Sequence, residues 1–332
     1  MGAGAAPCGH SCGHCGGGSA SGRAAVRVTP AWIAADWGTT RLRAFAMAAD
    51  ARVLASADSG AGMGRLSGAA AFEAALLDLV GGWLEPGTAT EVVACGMVGA
   101  RQGWAEAPYE AVPCPPMTAA RALRVQTADP RIVVRVLPGL CQRRPADVMR
   151  GEETQIAGLM AREPRFDGTV CLPGTHTKWA HVSAGEVVSF TSFMTGEIFE
   201  LLASASVLRH GIAAEGWSEA DFAEAVEDGL ARPEQLAARL FRLRAEALLD
   251  GLDPERARAR LSGLLIGAEL AAARPHWLGR EVVLVGAPAM AGAYRAALAL
   301  CGVQARLADA TEMTLAGLAA ARAGLANDGV RT

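Results

Sequence analysis

The chain all but lacks lysine. Of its 31 basic residues only Lys178 is a lysine, so arginine fills every other cationic position. High-GC coding would explain such a bias on its own. The sharper reading is that position 178 needs a compact ammonium on a flexible stem, where a planar guanidinium would not serve. Basic clusters are missing too: with a formal net charge of −3 over 332 residues, the chain has no positive field for nucleic acid or an anionic membrane surface. No apolar run approaches the roughly 18 residues of a bilayer span, and the start lacks the basic and then apolar pattern of a secretory signal. Of the eight cysteines, Cys95, Cys114, Cys141, Cys171 and Cys301 stand singly in the body of the chain, an odd set that argues against a disulfide framework. Together these absences point to a cytoplasmic protein with reduced thiols whose partners are small molecules.

What is present is apolar substance. Hydrophobic residues make up 51% of a chain long enough for two domains of ordinary size. Residues 1–30 stand apart, rich in Gly, Ala and Ser, and read as a disordered tail. The tail's Cys8, His10, Cys12, His14 and Cys15 are metal-ligand types, but their spacing is too tight for a zinc finger. Beyond it, 31–38, 41–47 and 51–58 predict three successive strands with short turns. A helix over 69–84, a buried strand at 91–96, a Gly- and Pro-punctuated loop over 97–117 and a strand at 131–139 follow. Residues 151–163 predict a helix opening on two acids, which suits the positive end of its dipole.

The segment 168–190 then repeats the layout of 31–57: strand, Gly-Thr turn, strand, short turn, strand. Helices fill 195–278. A buried strand, a Gly-Ala-Pro turn and a helix occupy 281–302, before a strand at 303–308 and a closing helix over 311–323. This pattern predicts two similar lobes of α/β layers.

The turns carry the chemistry. "DWGTT" (36–40) and "LPGTHTK" (172–178) put Gly-Thr pairs at the tips of matched strand-turn-strand units. Backbone N–H groups and hydroxyls there make nests for anions, of which phosphate is the common one. Asp36 cannot hold phosphate; it suits Mg²⁺ held through water and shared with phosphate oxygens. "GAGMG" (60–64) lacks the strand-helix setting of a dinucleotide fingerprint, and no GxxxxGK[ST] occurs.

These turns resemble those of the actin-like ATPase superfamily of sugar kinases, hexokinases and heat-shock chaperones, with "VGAPAMAGAY" (285–294) similar to its adenosine-binding turn. More closely, "IAADWGTTRLRA", "GMVGARQGW", "VMRGEETQ", "PGTHTKW" and "MTGE" resemble the 2-dehydro-3-deoxygalactonokinase family, from about residue 31 to the C-terminus. The tail is not part of that pattern. The resemblance implies an α/β, two-lobe actin-like ATPase (ribonuclease H-like) fold, each lobe a mixed β-sheet with helices, and nucleotide in the interlobe cleft. The lobes would span 31–150 and 151–325, the second with a helical insertion.

It also implies ATP-dependent phosphorylation of the 6-hydroxyl of 2-dehydro-3-deoxy-D-galactonate, with Mg²⁺ at Asp36. Such a reaction needs a phosphate cradle, the metal and an acceptor for the hydroxyl proton. Gly38, Thr39, Thr40, Gly174 and Thr175 would form the cradle, with His176 and Lys178 beside it and Gly286 and Ala287 at the adenosine. Related sugar kinases open the corresponding helix with Gly-Asp, so Glu152 or Glu153 is the candidate base. An Arg fork should meet the substrate carboxylate, with Arg101 and Arg150 as candidates. Thr195 and Glu197 would line the sugar site, whereas Trp104 and Tyr109 form either its wall or loop core. A homodimer is compatible with this reading; nucleic acid and membranes are not expected partners. The alternatives are a kinase of another sugar acid or polyol on the same fold, and an ATP-binding regulatory module without a small-molecule substrate.

Overall fold

The structure is a computed structural model and describes residues 28–328. The tail cysteines and histidines lie outside the described residues. The chain opens with a meander of β1 (Trp32–Trp37), β2 (Leu42–Met47) and β3 (Val53–Ser59), then α1 (Ala69–Val80) and β4 (Thr90–Gly96). Short strands β5 (Tyr109–Ala111) and β6 (Leu123–Arg124) precede β7 (Ile132–Val136), β8 (Gly139–Arg143) and β9 (Ala146–Met149). After α2 (Glu152–Arg162) comes a second meander, β10 (Gly168–Leu172), β11 (Thr177–Ser183) and β12 (Glu186–Phe193). The helices α3 (Thr195–Ser204), α4 (Glu219–Ala231), α5 (Leu236–Leu249), α6 (Pro254–Ala272) and α7 (Arg274–Trp277) lead to β13 (Val282–Gly286), α8 (Pro288–Leu300), β14 (Arg306–Asp309) and α9 (Ala310–Asp328).

The two large sheets share one plan. The first has the order β3-β2-β1-β4-β7-β6 and the second β12-β11-β10-β13-β14. In each, a meander of two antiparallel pairs continues through parallel pairs, β1 with β4 with β7 and β10 with β13 with β14. The repeat read from 31–57 and 168–190 is therefore a repeat of topology. Central β1 is buried on both faces through Trp32, Ile33, Ala34 and Ala35, as a strand with neighbours on both sides requires.

The expectation of a loop over 97–117 needs correction. Tyr109–Ala111 pairs in parallel with β8, which pairs with β9, making a third sheet of three strands. A three-residue strand is too short to show a period of two, and its partner lies thirty residues away. This small sheet docks on edge strand β12: Cys114 bridges Val187, and the Asp147 carboxylate accepts the Ser192 N–H at 2.6 Å. Side-chain acceptors thus occupy N–H groups that an open sheet edge would leave free.

Each large sheet has its own core. Ile33, Trp37, Phe72, Leu76 and Val92 cluster beside the first, and Cys171, Trp179, Phe222, Leu284 and Tyr294 beside the second. Full burial of such side chains stabilises by roughly 1.5–3 kcal/mol each. Two helices join the halves by crossing. Ile156 and Leu159 of α2 pack with Val170 and Val283 of the second sheet, while Leu318 and Ala321 of α9 pack with Trp32 and Val93 of the first. At the crossing Gly158 faces the Met313 carbonyl and Gly317 the Thr154 carbonyl so closely that a Cβ on either would lie 1.9 Å from that oxygen.

Candidate active site

Strand β1 delivers Asp36 and Trp37 to the turn at Gly38–Thr40. The turn is closed by the Gly38 N–H donating to the Arg41 carbonyl at 2.9 Å, with Thr39 and Thr40 exposed. Residues 60–64 brace it from behind. The Met63 and Gly64 N–H groups donate to the carbonyls of Gly38 (3.0 Å) and Thr39 (2.9 Å), and the Trp37 indole N–H to that of Ala61 (2.8 Å). "GAGMG" is thus a support for the first Gly-Thr turn. Antiparallel register sets Arg43 opposite Asp36. Its guanidinium pairs with Asp36 Oδ2 and donates to Thr311 Oγ1 at 3.1 Å, tying this strand to α9. The sequence reading missed Arg43, although hairpin pairing of residues 36 and 43 was the available signal.

On its other side Asp36 is in register with Cys95 of β4. Burial pushes the Cys95 thiol well up, and the negative charges of Asp36 and Glu153 add to it. The same thiol therefore feels both carboxylates, which brings the start of α2 to the end of β1. Gly151, at φ +108°, precedes α2 with its Cα side against Gly96, so the helix points its N-terminus at the ends of β1 and β4.

The two acids that open α2 differ. Glu153 is buried, 1% exposed; its Oε2 accepts the Gly151 N–H at 2.6 Å and its Oε1 the Thr154 hydroxyl at 3.0 Å. Burial, with the neighbouring Glu152 charge, raises its pKa from 4.5 to about 8. Glu152 is partly exposed; its Oε2 accepts the Arg150 N–H at 3.0 Å, and its Oε1 lies 3.5 Å from Lys178 Nζ. Of the pair, only Glu152 presents a carboxylate to the outside.

The raised pKa of Glu153 has a sign that can be tested. Between pH 4.5 and about 8 the folded chain keeps a proton that the unfolded chain has lost. Its contribution is full below pH 4.5 and declines as pH rises to about 8. Glu153→Gln imitates the protonated acid, so it should lose this slope and exceed the parent in stability by ~5 kcal/mol above pH 8. Urea unfolding of both chains at pH 5 and pH 8.5 measures it, and an unchanged difference between the two pH values would overturn it.

The second turn is built alike. Gly174 is partly exposed and Thr175 and His176 are exposed, while the strand that follows buries Thr177, Lys178 and Trp179. The first turn of α3 lies against it. The Glu197 N–H donates to the Thr175 carbonyl at 2.9 Å, and the Glu197 carboxylate meets His176 Nε2 at 2.6 Å. A Cβ on Gly196 would lie 2.2 Å from the Gly174 carbonyl oxygen. Gly196→Ala should therefore displace the turn and break the Glu197 N–H bond to the Thr175 carbonyl, so that the Glu197 amide exchanges at least tenfold faster while the melting temperature moves by only a few degrees; unchanged exchange would show that α3 does not set the turn. Gly286 ends β13 beside Pro173, and Ala287 precedes α8. Because β10 and β13 are parallel neighbours, both turns sit at strand C-termini, where open α/β sheets bind ligands.

The remaining candidates scatter. Arg101 is exposed. Trp104 takes the core reading: it is 6% exposed and packs on Trp37 and Phe72 at ring separations of 5.9 and 6.4 Å. Arg150 is buried, stacked 4.2 Å over the Tyr109 ring with Nη2 donating to the Ala107 carbonyl at 2.8 Å. Its Nε and Nη1 are buried and have no acceptor among the described residues.

The sequence pattern of the family described as 2-keto-3-deoxy-galactonokinase matches residues 36–321. The chain belongs to that family. The galactonokinase pattern thus begins at Asp36 and takes in both turns, Glu152 and the whole of the second sheet. A protein of Rhizobium meliloti (strain 1021) named "Probable 2-dehydro-3-deoxygalactonokinase DgoK1" is 39% identical over 300 residues, 87% of this chain and 96% of that protein. The 2-dehydro-3-deoxygalactonokinase of Escherichia coli (strain K12) is 35% identical over 278 residues, 83% of this chain and 91% of that one. A Sinorhizobium meliloti crystal structure bearing the family name superposes with a TM-score of 0.81 at 39% identity, covering 88% of this chain and 95% of its own.

The activator of the 2-hydroxyisocaproyl-CoA dehydratase from Clostridium difficile, solved with ADPNP, superposes with a TM-score of 0.51 at 13% identity over 91% of this chain and 97% of its own. That likeness is one of fold, and the fold is the actin-like ATPase fold expected from the turns. Among the described residues no helix is long and apolar enough to cross a membrane, and Cys95, Cys114, Cys141, Cys171 and Cys301 are free.

Proposed function

We propose that the protein phosphorylates the 6-hydroxyl of 2-dehydro-3-deoxy-D-galactonate with ATP, in the cytoplasm, giving 2-dehydro-3-deoxy-6-phospho-D-galactonate. The observation that carries this reading is the meeting of Glu152 and Lys178, 3.5 Å apart. One stands at the N-terminus of α2 where a base is needed, the other in the strand that leaves the second phosphate turn. Phosphoryl transfer depends on positioning and charge neutralisation, and this pair brings the proton acceptor and a phosphate-side cation to one point.

Within this reading Thr39, Thr40, Gly174 and Thr175 cradle the phosphates with backbone N–H groups and hydroxyls, and Gly286 and Ala287 border the adenosine. Glu152 takes the proton of the 6-hydroxyl. Thr195, Glu197 and the exposed Arg101 face the sugar acid. Residues 31–150 and 151–325 act as two lobes whose closure excludes water and suppresses idle ATP hydrolysis.

Asp36 fits a Mg²⁺ site. Its carboxylate engages Arg43 through Oδ2 alone, and among the described residues no group of three His, Cys, Asp or Glu side chains could hold an ion by itself. A single carboxylate acting through water, with phosphate oxygens completing the shell, is a common magnesium arrangement. When bound, the ion would neutralise phosphate charge.

A coupled ADP-release assay with ATP and Mg²⁺ tests the reading, run against 2-dehydro-3-deoxygalactonate, its gluconate epimer and neutral sugars. Turnover of the galactonate compound above the others is expected. Preference for another acceptor would transfer the reading to another sugar kinase, and no turnover on any acceptor would sink it.

A further inference from the structure

We propose that Glu269 is a positioning residue that locks the nucleotide side of the cleft to the sugar-acid side; this rests on the kinase reading above. Glu269 lies on α6, inside the helical segment between the second meander and β13, and is only 3% exposed. Its carboxylate accepts from two other elements and stands beside a third. Trp179 Nε1 of β11 donates to Oε1 at 2.7 Å and the Tyr294 hydroxyl of α8 donates to Oε2 at 2.7 Å, while Thr195 at the start of α3 lies near enough to favour the charged carboxylate. The Tyr294 hydroxyl also lies 2.8 Å from Thr177 Oγ1, the first residue of β11. Burial works to push the carboxyl above its usual range, and Thr195, Trp179 and Tyr294 work against that.

What each donor is attached to gives the network its meaning. Alternation along β11 sends Thr177 and Trp179 to the α6 side and Lys178 to the opposite side, where it meets Glu152. The bonds to Trp179 and Thr177 therefore set the strand that carries Lys178. Tyr294 belongs to the helix that follows the Gly286–Ala287 turn at the candidate adenosine site. Thr195 opens the helix whose next two residues touch Gly174, Thr175 and His176. One carboxylate thus ties phosphate strand, adenosine helix and sugar-side helix together.

Stability alone does not call for such a group. Buried ionic groups are often replaced by apolar residues of similar volume at no loss, so a buried carboxylate serving three elements around one cleft is better explained by the alignment it imposes.

The test uses Glu269→Gln and Tyr294→Phe in the full chain, singly and together. The second variant removes one donor and keeps the core volume, which covers the case in which Glu269→Gln does not fold. Turnover per folded molecule and the KM values for ATP and for 2-dehydro-3-deoxygalactonate are measured beside thermal unfolding. Expected are a kcat lowered at least tenfold in each single variant that folds and, where all three fold, a double variant no slower than the worse single one, because both substitutions break the same link. Variants with lowered melting temperatures but kcat and both KM values within twofold of the parent would overturn the positioning role and leave the kinase reading standing. A parent chain that turns over no sugar acid would overturn both.

Discussion

Replacing Glu152 with glutamine is expected to lower kcat by roughly 10²–10⁴-fold, the usual worth of a positioned general base, while ATP binding stays within about threefold of the parent. The amide keeps the shape and can still accept the Arg150 N–H that Oε2 accepts at 3.0 Å. It loses the ability to take a proton and its charge beside Lys178. Glu153→Gln is the built-in control: its carboxyl is 1% exposed, bonded at both oxygens and protonated well into neutral pH. It should turn over within a few fold of the parent. Isothermal titration with a non-hydrolysable ATP analogue and single-turnover kinetics on both variants separate binding from chemistry. Normal turnover by Glu152→Gln would exclude it as the base and move attention to Asp36.

The second large effect is on the fold. Gly158→Ala should destabilise by more than about 3 kcal/mol, at or beyond the upper end of ordinary overpacking. The added methyl would sit 1.9 Å from the Met313 carbonyl oxygen, a backbone atom that no rotamer change can move aside. The crossing of α2 and α9 must open, disturbing the contacts of Leu159 with the second sheet and of Leu318 with the first. Gly317→Ala meets the Thr154 carbonyl in the same way. The double variant should cost less than the sum of the two, since helices once parted leave room for the second methyl. Urea unfolding reads both results, and a loss under 1 kcal/mol for Gly158→Ala would mean that the crossing yields freely.

Much of the fold was legible because the meanders are periodic and their turns unusual. Asp36-Gly38-Thr39-Thr40 joins two strands where Asn-Gly would fold more readily, and that departure pointed to the candidate site. The repeat at 168–190 was legible for the same reason. Short-range pattern could not show the three-stranded sheet, because Tyr109–Ala111 acquires its identity from β8.

Site residues fared according to whether local context decides their surroundings. The acids of "RGEE" were visible as a pair, but which one faces outward depends on the helix phase at Gly151, and only packing separates Glu152 from Glu153. Trp104 could have been cleft wall or loop core, and packing places it in the core, while Arg150, a candidate for the substrate carboxylate, is buried over the Tyr109 ring. Glu269 carried no signal at all: within α6 it reads as one more solvent-facing charge, and only the approach of Trp179, Thr195 and Tyr294 makes it central.

The solitary lysine gives the molecule an unusual property for protein chemistry. Reagents that acylate or cross-link amines find one side-chain target in 332 residues, and it is 5% exposed with Glu152 as its salt-bridge partner. Ordinary surface labelling through lysine is therefore closed to this chain. Any slow incorporation at position 178 becomes a site-specific clock for opening around that side chain, read by peptide mass without mutagenesis and without a background of other lysine side chains.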